Sequence, residues 1–255
     1  MYPTFFRIGT FEITSFGVLV AIGALVGLWV FGRELVRSGL PEDATNAAVA
    51  GVVGGLIGAK LLWTIEHHGE DQLLSLLLSR GGMSWFGGFV GGVGAGLAVI
   101  HWQRLPIVRV LAAAAPAMAI GQAIGRVGCF LVGDDYGRPT DLPWGVAFPK
   151  GLPPVDVPVH PTQLYECFAL IVVFVLLLRW RRRGLADAQV IGRYLLLAGA
   201  IRFAIEFVRV NVRVLGPFTV AGIASAGITV IGVLILVGTR SAPSVVASSA
   251  PARRR

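Results

Sequence analysis

Charge is scarce in this chain of 255 residues: Asp, Glu, Lys and Arg make up only 14% of it against 55% hydrophobic residues, and the mean hydropathy is +0.75. Soluble globular proteins carry about 25% charged residues, so an ordinary water-facing surface is excluded. So much apolar side chain excludes a disordered chain as well. Cysteine is limited to Cys129 and Cys167, too few for a disulfide framework. The four histidines fall in no zinc-ligand spacing, so no metal site is expected. A Gly-x-Ser-x-Gly nucleophile elbow is also missing, and the 34 glycines follow no Gly-X-Y period.

What the sequence has is long apolar runs. Seven are read, over 14–32, 44–65, 84–103, 107–125, 161–179, 189–208 and 218–239. Each is near the ~20 residues that a helix needs to cross ~30 Å of hydrocarbon. In lipid the backbone must satisfy its own polar groups, and runs this continuous do so as helices. The expected fold is all-α: a polytopic membrane protein with about seven transmembrane helices. One helical domain is expected over 1–240, with an outer-face loop at 125–160 and a disordered basic tail at 241–255. The first run lacks the basic leader of a signal peptide and is read as a retained span.

The formal charge of +8 becomes a topology signal once the basic residues are placed. Arg33, Arg37, Arg104, Arg109, Arg179, Arg181, Arg182, Arg183, Arg193, Arg240 and Arg253–Arg255 fall on one side of the spans. Arg7, Arg80, Arg138, Lys150, Arg209 and Arg213 fall on the other. The richer side is cytoplasmic by the positive-inside rule, which puts the N-terminus in the periplasm and the C-terminus in the cytoplasm. A nucleic-acid partner is not expected. The leucine-rich stretch Glu66–Arg80 is too short to span and reads as an interfacial helix on the outer face. Glycines four apart, such as Gly54 and Gly58 or Gly87 and Gly91, predict close helix packing.

Ionisable residues inside spans are costly, so each marks a candidate site. Lys60, near the outer end of the second run, is expected to snorkel to the headgroups. Glu166 lies in the fifth run. Arg202, Glu206 and Arg209 share one face of the sixth, with two positive charges against one negative, which leaves room for an anion. Arg126, flanked by Gly125 and Gly128 at the outer end of the fourth run, suits a phosphate: guanidinium matches its oxygens in pairs, and glycine lets the backbone close in. Both Arg126 and Arg202 are expected to line one cavity that opens sideways to lipid. A small-solute transporter is the reading from another class, but the two halves of the chain show no internal repeat.

The stretch Gly125-Arg126-Val127-Gly128-Cys129-Phe130, continuing through Gly133 to Gly137 and Arg138, resembles the signature of the prolipoprotein diacylglyceryl transferases. So do His160-Pro161-Thr162-Gln163-Leu164-Tyr165-Glu166, the pattern Arg202-x-x-x-Glu206-x-x-Arg209, and Gly81-Gly82-Met83-Ser84. The motifs stand in the family's order and cover nearly the whole chain. The resemblance implies an enzyme of the bacterial inner membrane. It would move the sn-1,2-diacylglyceryl group of phosphatidylglycerol to the thiol of the lipobox cysteine in a preprolipoprotein signal peptide, with loss of glycerol 1-phosphate and without metal or organic cofactor. Arg126, Arg202, Glu206 and Asp134 are then the expected catalytic residues. Arg126, Gly128, Gly137, His160, Gln163, Tyr165, Glu166 and Arg209 are expected to bind substrate. The sequence departs from the family at Phe86, where the family has a histidine, at Phe16 for a tyrosine, at Cys129 for an asparagine and at Asp134 for a glutamate. The base is then Asp134, Glu206 or His160, or arginine charge alone activates the thiol. The alternative is a divergent relative that binds anionic phospholipid without catalysis.

Overall fold

A computed structural model describes residues 4–9, 11–69, 71–79, 82–211, 213–216 and 218–241. Arg80, Gly81 and the expected tail beyond Ser241 lie outside the described residues. The chain begins with a hairpin of β1 (Thr4–Ile8) and β2 (Phe11–Thr14), followed by α1 (Ser15–Arg37), a single 3-10 turn (Glu42–Ala44), α2 (Thr45–Glu66), the short α3 (Leu73–Leu78), α4 (Trp85–Trp102) and α5 (Ile107–Val132). A second hairpin, β3 (Val146–Phe148) with β4 (Val155–Val159), precedes α6 (Thr162–Arg182) and α7 (Asp187–Glu206). A last one, β5 (Arg213–Leu215) with β6 (Phe218–Thr219), leads into α8 (Val220–Ser241). Six of these helices are long and apolar enough to cross a membrane, and α4 is a shorter apolar seventh. Their outward faces carry bare side chains such as Leu25, Val90 and Leu234, each more than 60% exposed. A water-soluble bundle would hide them; lipid solvates them. The protein is an all-α polytopic membrane protein.

Neighbouring helices run antiparallel and pair through small residues. A Cβ on Gly58 of α2 would stand 2.4 Å from the Gly87 carbonyl oxygen of α4, so these two backbones are in direct contact. Gly23 and Gly121 join α1 to α5 in the same way, and Gly232 seats α8 on α7. One apolar cluster ties the α2–α4 pair to α1 and α5. Its members Val30, Phe31, Leu35, Ala44, Ala47, Ile100 and Val110 all lie toward one end of the bundle, hereafter the basic end. A second cluster packs α5, α6 and α7 together.

The basic end is clamped by Glu34 of α1, a buried carboxylate that accepts from Arg181 Nε of α6 and from Arg37, both at 2.5 Å. Arg181 also donates to Ser38 at 2.7 Å and faces Asp187 at 3.6 Å. Two cavities flank this clamp. One of about 430 Å³ is lined by Leu28, Trp29 and Arg33, the other of about 170 Å³ by Arg37, Arg109 and Arg181.

The opposite end departs from the sequence reading in three ways. First, α5 continues seven residues past its expected end and stops at Gly133, whose φ of 78° and N–H bond to Cys129 O (2.8 Å) make a left-handed cap. Arg126 therefore sits on a helix rather than in a loop. Glycine inside a helix costs ~1 kcal/mol, but Gly128 is covered by α1, where its Cβ would meet Leu19 Cβ at 3.1 Å. Second, the connection from Gly133 to Pro161 carries the β3–β4 hairpin. Phe148 of β3 is fully buried, stacked on Tyr136 and edge-on to Phe130. Third, the interfacial helix shrinks to six residues, with Leu76 buried and Leu73, Leu74 and Leu78 exposed. Lys60, near the end of α2, turns toward the chain that follows α3. It donates to Ser79 O (2.7 Å) and Ser79 Oγ (2.8 Å), lies over the Trp63 ring, and so fastens the α3–α4 connection to α2.

Candidate active site

The site is assembled where α5 and α7 end and α6 begins. Gln122 and Arg126 stand four residues apart on α5, hence on one face, and that face meets Glu166, one turn into α6. Glu166 is 2% exposed. It accepts from Gln122 Nε2 at 2.8 Å and pairs with Arg126 Nε at 3.0 Å. Arg202 of α7 approaches the same Oε2 oxygen with Nη1 at 4.0 Å. Arg126 and Arg202, 76 positions apart in sequence, thus converge on one buried carboxylate. Glu166 Oε2 stands between the two guanidiniums, and the two cavities described above lie at the basic end.

The other members complete a network. Arg202 Nη2 pairs with Glu206 Oε2 at 2.9 Å, one turn along α7. Glu206 also accepts from Thr219 Oγ1 at 2.7 Å and from Asn211 Nδ2. Arg209, just past the end of α7, pairs with Asp135, and Asp135 pairs in turn with Arg126 Nη1 at 2.7 Å. The surplus positive charge read on the sixth run is therefore balanced by Asp135 and Glu166 from neighbouring elements. Two buried N–H groups, on Arg202 Nη1 and Arg209 Nε, have no hydrogen-bond acceptor among the described residues. Buried donors without acceptors are rare and costly, and here two flank the same cluster.

The remaining expected residues frame this centre. Gln163 is buried and donates Nε2 to the Asp134 carbonyl; Thr162 Oγ1 donates to the Asp135 carbonyl at 2.6 Å. Both therefore hold the backbone that carries the two aspartates. Tyr165 OH lies 3.2 Å from His160 Nδ1 and accepts from Trp144 Nε1 at 2.8 Å. Gly137 is bridged to Arg209, and a Cβ on it would meet Val208 O at 2.7 Å and His160 Cβ at 2.8 Å, so its bareness is needed for the chain crossing. Gly128 is taken up by contact with α1. Phe86 stands at the head of α4 and Phe16 at the head of α1, both more than 40% exposed.

The two adjacent aspartates differ in ionisation. Burial raises the Asp134 carboxyl above its ordinary range, the neighbouring Asp135 charge adds to this, and the Cys129 thiol and the arginines only partly offset it. Burial also opposes ionisation of Asp135, but the Arg209 and Arg126 guanidiniums outweigh it and hold that carboxyl below its ordinary range. Asp134 Oδ1 is buried without a hydrogen-bond partner among the described residues, so it is free to take a proton. Cys129 Sγ and one oxygen each of Asp134 and Asp135 lie within 4.8 Å of one another. This is a conceivable metal grouping by distance, but the Asp135 charge is already spent on two arginines. Sequence reasoning missed Gln122, Asp135, Asn211 and Thr219. Only Gln122 left a signal, a polar residue one turn from Arg126 in an apolar run.

The fold and this cluster define a polytopic helical membrane protein with an arginine–carboxylate centre at one end of its bundle. The profile of the prolipoprotein diacylglyceryl transferases matches residues 3–238. The chain is 31% identical over 249 residues to the phosphatidylglycerol–prolipoprotein diacylglyceryl transferase of Geobacter sulfurreducens, an alignment covering 92% of this chain and 94% of that protein. It is 36% identical over 238 residues to the protein of that name from Bordetella bronchiseptica, covering 89% and 87%. It is 35% identical over 217 residues to that from Methylococcus capsulatus, covering 81% of each. The chain belongs to the prolipoprotein diacylglyceryl transferase family.

Proposed function

We propose that this protein transfers the sn-1,2-diacylglyceryl group of phosphatidylglycerol to the thiol of the lipobox cysteine in a preprolipoprotein signal peptide, releasing glycerol 1-phosphate. It does so in the bacterial inner membrane, with the arginine–carboxylate end at the periplasmic face. Membership of the family supports the reaction. The observation that carries the reading at this site is the pair of unsatisfied buried donors on Arg202 and Arg209, beside an Arg126 that shares Glu166 with Arg202. Such donors suit the oxygens of a phosphodiester.

The thiol gives its proton to Asp134, whose raised pKa and unpartnered oxygen fit it better than the alternatives. Glu206 is committed to Arg202, Asn211 and Thr219, and His160 Nδ1 to Tyr165. The thiolate attacks the glycerol carbon that bears the phosphate. The C–S bond forms, the C–O bond breaks, and its electron pair moves to the phosphate oxygen. Arg126 and Arg202 stabilise the charge that develops there, and Glu206 orients Arg202. Lipid reaches this end from the side on which Phe16, Phe86 and Phe89 stand exposed. Phe86 favours a second reading, a relative that binds anionic phospholipid without transfer, because phenylalanine cannot act as a base.

Purified protein supplied with phosphatidylglycerol vesicles and a lipobox peptide separates the two. Thioether-linked diacylglyceryl peptide supports transfer. Lipid binding without product supports the second reading.

A further inference from the structure

Three arginines at the site, Arg126, Arg202 and Arg209, face three committed carboxylates, Asp135, Glu166 and Glu206. The cluster is therefore neutral before Asp134 is counted, and negative when Asp134 is ionised. A phosphodiester bears one negative charge and gains little from a neutral site. One carboxylate must yield. Glu166 is 2% exposed and wedged between two helices, and Glu206 is held by two hydrogen bonds and the Arg202 ion pair. Asp135 is different: its side chain is 37% exposed and it sits on the connection beyond α5, its backbone held by Thr162. Its φ of 61° lies in the left-handed region, which a non-glycine residue occupies at a cost when contacts hold it there. Its two oxygens engage two different guanidiniums, Oδ2 with Arg126 and Oδ1 with Arg209. The two non-ester oxygens of a phosphodiester would make that same bridge.

We infer that the Asp135 carboxylate is an internal stand-in for the lipid phosphate, bridging Arg126 and Arg209 until phosphatidylglycerol displaces it, and returning to expel the phosphate product. The inference rests on the reading of the site given above. With Asp135 swung into solvent the cluster gains one unit of positive charge, which offsets the one negative charge of a phosphodiester. Its return competes for the same two arginines and drives out glycerol 1-phosphate, which carries more charge than the substrate and would otherwise bind more tightly.

The test compares the full-length protein with Asp135→Asn and Asp135→Gly in detergent micelles. Both replacements tolerate a left-handed backbone, and glycine keeps the test valid if the asparagine variant fails to fold. The readouts are the Kd for short-chain phosphatidylglycerol, and the KM, kcat and sn-glycerol 1-phosphate inhibition of peptide transfer. Both variants should bind the lipid roughly tenfold more tightly, a change of about 1.4 kcal/mol. KM should fall in step, glycerol 1-phosphate should inhibit at roughly tenfold lower concentration, and kcat should fall as product release slows. Unchanged or weaker lipid binding overturns the proposal, as does a loss of kcat with Kd unaltered, which would make Asp135 a positioning residue for Arg126. If the unaltered protein binds lipid but forms no thioether, the transferase reading fails while the binding comparison still decides the role of Asp135. If the unaltered protein and both variants bind no lipid, both ideas fail.

Discussion

Glu166 is the residue on which the site turns, because it gives two arginines from different helices a common partner. Each arginine would be costly to bury alone. Arg126→Ala and Arg202→Ala should each lower kcat/KM by about 10²–10³-fold, the usual effect of removing one donor to a developing oxyanion, while the protein still inserts and purifies. Rates measured on purified variants check this, and normal turnover in Arg126→Ala would remove it from the phosphate site. Asp134 makes a separate prediction. A base must be ionised, and a raised carboxyl keeps its proton to higher pH, so the rate should rise with pH through a midpoint above the ordinary aspartate value. In Asp134→Asn the rate should drop and that acid limb should vanish from the pH profile. At this scale the sequence showed the charges that lipid makes conspicuous: Arg126, Glu166, Arg202, Glu206 and Arg209. It hid Asp135, whose partners lie nine and 74 positions away; no local pattern reveals a pairing that only the chain crossing at Gly137 creates.

The elements were legible where hydrophobicity alone decides them. All seven apolar runs became helices. The largest departure at a boundary was in α5, which runs seven residues past 125, while α1 runs five past 32. Contact with Phe16 and Leu19 of α1 holds Gly128 in the helix against its propensity. The three hairpins were missed: their strands are two to five residues long and too short for a period-two pattern to register. The small-residue seams were visible as spacing, and their energetics can be tested. Gly58→Val would drive two methyl groups into the Gly87 carbonyl, so α2 and α4 must separate. A loss of about 1–3 kcal/mol is expected, read as a lower melting temperature in detergent; an unchanged melt would show that this contact is loose.

For the whole molecule, the bundle separates two polar ends. At one, Glu34 and Arg181 clamp α1 to α6; at the other, the arginine–carboxylate centre closes α5, α6 and α7 around Glu166. The proposed orientation, argued from charge asymmetry in the connections, puts the centre outward. A cysteine placed at Asp141, on the α5–α6 connection, should react in intact cells with a maleimide that cannot cross the membrane. One placed at Arg183, between α6 and α7, should react only after lysis; the reverse pattern would invert the protein. The account stands or falls on Arg126 and Arg202 acting on one phosphate, and a double-mutant cycle in kcat/KM measures that directly. If they act together, the Arg126→Ala/Arg202→Ala protein should be scarcely slower than either single variant. Losses that simply multiply would mean that the two arginines act independently, contrary to this account.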